Sequence, residues 1–191
     1  MRRGFTPPVA FSHLLLTEHI EAGALVVDAT AGNGFDTLFL AELIGETGQV
    51  IAFDRQKVAI ETTKARLEKC RLLNRVKLIH DDHQKIRDYI SKPIDGIVFN
   101  LGYLPGGDQG IITTGPSTLK AVVAGLQLLK SGGLMVIVAY AGHPGGKEEV
   151  TTLLGFLQGL DGKLFNVLHY HFLNQQKTPP QVLAVKKRVG G

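Results

Sequence analysis

Leu25-Val26-Val27-Asp28-Ala29-Thr30-Ala31-Gly32-Asn33-Gly34-Phe35-Asp36 is the stretch that decides the fold. Three apolar residues run into Asp28, a turn holding Gly32 and Gly34 follows, and Thr37 to Leu43 then takes up helical spacing. That is a strand, a glycine turn and a helix start. In an open α/β sheet the first such turn lies where a nucleotide-like ligand meets the carboxyl ends of the strands, because glycine lets the backbone come close to it. The spacing separates two classes of ligand. A dinucleotide turn uses G-x-G-x-x-G, whereas Gly32-Asn33-Gly34 runs on into Phe35, Asp36 and Thr37 and the third glycine is missing. Asp28, four residues before Gly32, would repel a pyrophosphate but suits a ligand that carries an ammonium group. The turn therefore favours S-adenosylmethionine over NAD. An ordinary βα turn with no ligand is the bland alternative.

The chain around this turn has the size and balance of one α/β domain. It is 191 residues long, 44% hydrophobic and 20% charged, with 23 glycines spread among apolar runs. Met1-Arg2-Arg3 leads into Gly4, Phe5 and two prolines, with no apolar signal-peptide region and no membrane-spanning run, so a cytoplasmic enzyme is expected. Cys70 is the only cysteine, which excludes an internal disulfide and a cysteine metal cluster. The net charge of +4 permits a polyanionic partner without requiring one. Two basic clusters, Arg66 to Lys77 and Lys186 to Arg188, are solvated faces unless a partner claims them.

Outward from the turn, the periodicity gives alternating strands and helices. Pro7 to Ile20 has helical spacing, and residues 1–22 form an N-terminal helical segment expected over the cofactor end of the sheet. Gln49 to Asp54 reads as the second strand. It ends on an acid 20 residues after Gly34, where a doubly wound fold places the acceptor for ribose hydroxyls. Asp54 is the expected ribose residue, with Arg55 and Gln56 beside the adenine. A helix over Val58 to Leu73 and a strand over Arg75 to His80 lead to His80-Asp81-Asp82-His83. This tetrad invites a metal, but no second cluster of ligand spacing accompanies it. Adenine contacts from Asp81 and His83 are the expectation instead.

Ile94 to Asn100 is the fourth strand, and it delivers Asn100-Leu101-Gly102-Tyr103-Leu104-Pro105 to the carboxyl edge. A glycine-rich loop with Asp108 follows, then a helix from Pro116 or Ser117 to Leu129, and a strand over Leu134 to Ala141. His143 stands in the next turn, Gly142-His143-Pro144-Gly145-Gly146, a position suited to chemistry and equally to structure. A helix over Glu148 to Leu160 and strands over Lys163 to His171 and Gln181 to Lys187 complete the pattern, with His169 and His171 read as structural. Between those strands, Asn174 and Gln175 open a proline-stiffened loop whose carboxamides suit the edge of a base.

DATAGNG (28–34) resembles motif I of the class I methyltransferases, an acid followed by G-x-G. Asn100 to Pro105 is similar to the N-P-P-Y motif of methyltransferases that act on amino nitrogens. There the Asn oxygen and the next carbonyl accept from the target amine while an aromatic ring packs beside it. Leu101 and Gly102 stand where that motif has prolines. Taken with FDRQ, HDDH, YAGHPGG and LNQQKTPP, these motifs resemble, over nearly the whole chain, the family labelled rRNA methylases, of the YtqB or MnmM type. The resemblance implies a single-domain, Rossmann-like class I fold. Its seven-stranded sheet would be mostly parallel with the last strand antiparallel, and helices would cover both faces. It implies S-adenosylmethionine held by Asp28, Gly32, Asn33, Gly34, Asp36, Asp54, Gln56, Asp81, His83 and Asn100. Methyl transfer would be to the 5-aminomethyl group of a wobble (2-thio)uridine in a tRNA anticodon stem-loop. Asn100, Tyr103, Asp108 and His143 would serve catalysis, and Leu101, Tyr103, Asn174 and Gln175 the substrate; no metal is implied, and a homodimer is possible. An rRNA or small-molecule amine methyltransferase is the alternative.

Overall fold

The computed structural model describes residues 4–102, 104, 106, 113, 115–175 and 179–190. Tyr103 and Asp108 lie outside the described residues. Along the chain run α1 (Pro8–His19), β1 (Leu25–Asp28), α2 (Phe35–Leu43), β2 (Gln49–Asp54), α3 (Lys57–Lys69), β3 (Val76–His80), α4 (Ile86–Tyr89), β4 (Ile94–Leu101), α5 (Gly115–Leu128), β5 (Leu129–Ala139), α6 (Gly146–Gln158), β6 (Phe165–Tyr170) and β7 (Gln181–Lys187). The strands form one sheet in the order β3-β2-β1-β4-β5-β7-β6. β7 alone runs in the direction opposite to the other six strands. No helix among the described residues is long and apolar enough to cross a membrane.

Side chains alternate across a strand, and the two faces of the sheet bury different sets. Val27, Phe53, Ile97, Phe99, Met135 and Ile137 face α5 and α6. Val26, Val50, Val98, Val136 and Val138 face α1, α2 and α3. Continuous apolar runs such as Ile97-Val98-Phe99 are what a parallel sheet covered on both sides needs. Gly96 shows how closely α1 packs, since a Cβ there would lie 2.6 Å from Ile20 Cδ1. From that contact α1 runs along the sheet face toward the carboxyl edge, where His13 meets Asp36.

Among the boundaries that differ from the pattern read along the chain, three show how glycine or a left-handed residue sets them. α3 ends at Lys69, four residues early, because Arg71 takes a left-handed conformation (φ 58°) and a 3-10 turn over Leu73–Arg75 follows. β5 starts at Leu129 and carries Ser131-Gly132-Gly133 inside it, its pairing with β4 jumping from Ile94↔Leu129 to Gly96↔Leu134. The glycines accommodate an irregular strand there and do not mark a loop. α6 begins at Gly146, behind Gly145 in the left-handed region.

Candidate active site

The strand order reverses between β1 and β4, and ligands in open α/β sheets bind outside the carboxyl ends at such a point. A cavity of about 500 Å³ lies there. That is within the ~300–1,000 Å³ of small-molecule sites. Its walls are the glycine turn, Asp54 to Gln56, Asp81 and His83, Asn100 to Gly102, and Tyr140 with His143.

The glycine turn is braced from three sides. Gly32 N donates to Asp54 Oδ2 (2.9 Å), Thr63 Oγ1 donates to Gly32 O (3.1 Å), and Arg66 Nε donates to Asn33 O (2.8 Å). Gly34 has φ 79°, and a Cβ on it would lie 2.8 Å from Thr63 Oγ1 and 2.9 Å from Thr63 Cα. Only glycine satisfies both the left-handed backbone and the approach of α3. The Arg66 guanidinium also covers the exposed Phe35 ring at 3.8 Å. Asp54 Oδ1 accepts from Gln56 N (2.8 Å), so each of its oxygens already takes one backbone N–H and keeps a further lone pair.

Asp28 does not line this cavity. It is fully buried, Oδ1 accepting from Thr30 N (3.0 Å) and Oδ2 from Thr37 Oγ1 (2.6 Å). Its expected place at the ligand is corrected accordingly: the carboxyl ties β1 to the start of α2 from beneath. Burial, with the nearby charge of Asp36 second, pushes its pKa up to about 7. The carboxylate beside the ligand space is Asp36, in the first turn of α2 where the helix dipole favours an anion. Asp36 Oδ1 meets His13 Nε2 at 2.7 Å, and Asp36 Oδ2 accepts from Asn100 Nδ2 at 3.0 Å. The His13 ring is fixed in turn by stacking on Phe39, 4.0 Å apart and 3° from parallel.

This network orients Asn100. A carboxylate can only accept, so the amide nitrogen faces Asp36 and Oδ1 is the end not committed to it. The Asn100 backbone is held as well, its N–H donating to Thr30 Oγ1 (2.7 Å). Leu101 and Gly102 line the cavity beside it. Gly102 O then accepts from Thr113 N (3.2 Å), and Thr113 and Thr118 each donate to the buried Glu149 carboxylate.

The HDDH tetrad disperses. His80 pairs with Arg55 O; Asp82 pairs with Arg55 and accepts from Gln84 N. Asp81 reaches the cavity wall, but its carboxylate takes Lys85 Nζ, Tyr89 Oη and Asp82 N, and those bonds, Lys85 first, hold its pKa near 2. His83 is buried in the wall. Its Nδ1 lies 3.1 Å from Ala29 O, a carbonyl that only accepts, so Nδ1 carries the hydrogen and Nε2 is a bare acceptor. Burial lowers the pKa of this ring, and Nε2 has no partner among the described residues. His143 Nε2 is likewise buried without one, while Nδ1 faces Pro144 O.

Tyr140 and His13 were not singled out by sequence reasoning. Tyr140 directly follows β5, just before the glycine-rich turn, a signal that was present; burial and the charge of Asp36 raise its pKa and keep its phenol protonated. His13 carries no local signal, since its partner lies 23 residues away. Asn174 and Gln175 are exposed beyond β6 and do not line the cavity.

Residues 50–186 match the family model described as "Putative rRNA methylase". Over 92% of this chain and 68% of the relative, the sequence is 37% identical to the chloroplastic tRNA (mnm(5)s(2)U34)-methyltransferase of Arabidopsis thaliana. The crystal structure of a protein from Clostridium thermocellum described as a "putative rRNA-methylase" superposes with a TM-score of 0.94 at 41% identity, covering 96% of this chain and 99% of that one. A protein from Streptococcus mutans described as a "putative methyltransferase", in complex with SAH, superposes at 0.89 with 38% identity, again over 96% and 99% of the two chains.

Proposed function

The chain belongs to the rRNA methylase family, and on that footing we propose that it is an S-adenosylmethionine-dependent methyltransferase of tRNA, acting on the 5-aminomethyl group of a wobble (2-thio)uridine. The observation that carries this is Asn100, held by Asp36 at the end of β4 with its amide oxygen left to meet a donor. The cavity chemistry fits the cofactor. Asp54 offers acceptors for ribose hydroxyls, and the unpartnered His83 Nε2 offers one for an adenine amino group. The backbone of the glycine turn can approach closely. When bound, S-adenosylmethionine supplies a methyl group on a positively charged sulfur.

The residues of the chain then have to present a neutral amine, because an ammonium has no lone pair with which to attack. Asn100 Oδ1 and the Leu101 carbonyl accept from the two amine hydrogens and so aim the lone pair. Removal from water lowers the amine pKa and favours the neutral form. Positioning of this kind supplies most of the acceleration. The methylated nitrogen leaves with one proton more than the neutral product, and His143, on the cavity wall, is a candidate acceptor for it.

Two results follow. Methyl transfer should occur with tRNA bearing 5-aminomethyluridine and not with unmodified transcript, measured by nucleoside mass spectrometry. Equal activity on unmodified rRNA fragments would overturn the assignment in favour of rRNA. Asp54→Ala should weaken S-adenosylhomocysteine binding by about 1.5 to 3 kcal/mol, roughly 10- to 100-fold, since it removes both the ribose acceptor and the brace on Gly32 N. Calorimetry showing parental affinity would remove Asp54 from the ribose.

A further inference from the structure

The two ends of the chain share a charge character that its middle lacks. All 17 acidic residues fall between Glu18 and Asp161, so residues 1–17 and 162–191 contain no carboxylate and seven of the 21 lysines and arginines. The middle, with the other 14, is net acidic. Folding joins the two ends. Phe11 of α1 stacks on Tyr170 of β6 at 4.2 Å and 24°, and Tyr170 Oη donates to Thr6 O at 2.8 Å. From Tyr170 a ladder of rings runs outward. Phe172 meets Tyr170 edge-on at 5.5 Å, and Phe5 meets Phe172 at 6.4 Å and 49°. The inner rungs are half-buried, whereas Phe5 is 83% exposed and the adjoining Leu173 91%. Each exposed ring leaves apolar area in water that a partner would remove at a gain.

The place of the ladder says what that partner is. Asn100 pairs with Val138, Val138 with Val182, and Val182 with Tyr170, one row across four strands. At ~4.8 Å per strand, Tyr170 lies about 14 Å from Asn100 along the carboxyl edge of the sheet. Tyr140 lines the cavity, and Tyr140, Phe11 and Tyr170 pack against the same apolar cluster on one face of the sheet. A nucleotide placed in the cavity would leave its chain neighbours over this row. Aromatic faces suit unpaired bases because every base has a π-face. The absence of Asp and Glu from both of these chain ends suits their phosphates.

We propose that Phe172 and Phe5 form a stacking platform for an unpaired base close to the target nucleotide in the RNA substrate, with Asn174 and Gln175, exposed just beyond, meeting its edge. This rests on the RNA assignment above and adds a second contact outside the cavity. The test uses the full chain with Phe5→Ala and Phe172→Ala, modified tRNA and S-adenosylhomocysteine. Each alanine should raise the tRNA dissociation constant about 5- to 100-fold. The rate at saturating tRNA and the affinity for S-adenosylhomocysteine should stay parental, and Phe5→Tyr should restore binding. Phe5 is too exposed for its removal to unfold the protein, so that variant decides the matter even where Phe172→Ala melts early. Parental tRNA affinity in Phe5→Ala, with methylation of tRNA intact, would overturn the platform alone. A parental protein that binds S-adenosylhomocysteine but methylates no RNA would overturn the assignment beneath it and the platform with it. Loss of a dimer on light scattering, in step with lost tRNA binding, would give the rings to a second copy of the chain and refute the platform.

Discussion

Asn100→Ala is expected to slow single-turnover methyl transfer roughly 30- to 1,000-fold, about 2 to 4 kcal/mol, while cofactor affinity stays near the parental value. The size follows from losing one preorganised electrostatic contact at the reacting atom. Asn100 is preorganised in a specific way: Asp36 fixes the amide nitrogen and His13 fixes Asp36, so the oxygen needs no reorganisation as the amine attacks. An interaction that tightens in the transition state appears in kcat at saturating substrate and not in binding. If Asn100 served only to cap the end of β4, its loss would lower the melting temperature and leave activity per folded molecule unchanged. The backbone bond from Asn100 N to Thr30 Oγ1 survives the substitution, which limits the structural damage. Single-turnover methylation and thermal melting on one preparation separate the two roles. A variant that melts early yet methylates at the parental rate would sink the catalytic assignment.

Much of this site was legible because the fold concentrates it at strand ends. The glycine turn, Asp54, His83, Asn100 and His143 all stand within a few residues of the point where a periodic apolar run stops, and the sheet brings those points to one edge. What spacing could not supply was the direction of a side chain. Asp28 and Asp36 flank the same turn, and both were expected at the cofactor, Asp28 from its place four residues before Gly32. Thr37 and Thr30 draw Asp28 inward, and Asp36 is left facing the cavity. His13 was out of reach for a different reason. It belongs to α1, whose contact with Asp36 depends on packing across the sheet face, with Gly96 bare beneath Ile20. The irregular start of β5 was hidden too, since Ser131-Gly132-Gly133 has the composition of a loop yet lies inside the strand, between the Leu129 and Leu134 pairings with β4.

The inward turn of Asp28 has a second measurable result, a loss of stability as pH rises through the mildly acidic range. Its carboxyl titrates at about 7 in the folded protein against 3.8 for the ordinary group, raised first by burial and next by the charge of Asp36; the bonds from Thr37 and Thr30 pull the other way. Between those two values the folded state holds a proton that the unfolded state has lost, so stability falls as pH rises from about 4 to about 7 and is level above. A shift of that size corresponds to roughly 4 kcal/mol. The Asp81 carboxylate acts in the opposite sense. Asp81, held near 2 by Lys85 and Tyr89, favours the folded state until pH falls toward that value. The quantity to read is therefore the difference between the parent and Asp28→Asn in urea unfolding at a series of pH values. Asparagine keeps the shape of the protonated acid, with Oδ1 for Thr30 N and a donor for Thr37 Oγ1. The two proteins should match near pH 4, and the variant should gain by roughly 4 kcal/mol at pH 8. Parallel curves across that range would show that Asp28 ionises without penalty. Any constant gap between the two curves would then come from the change of side chain itself and not from a proton held by Asp28.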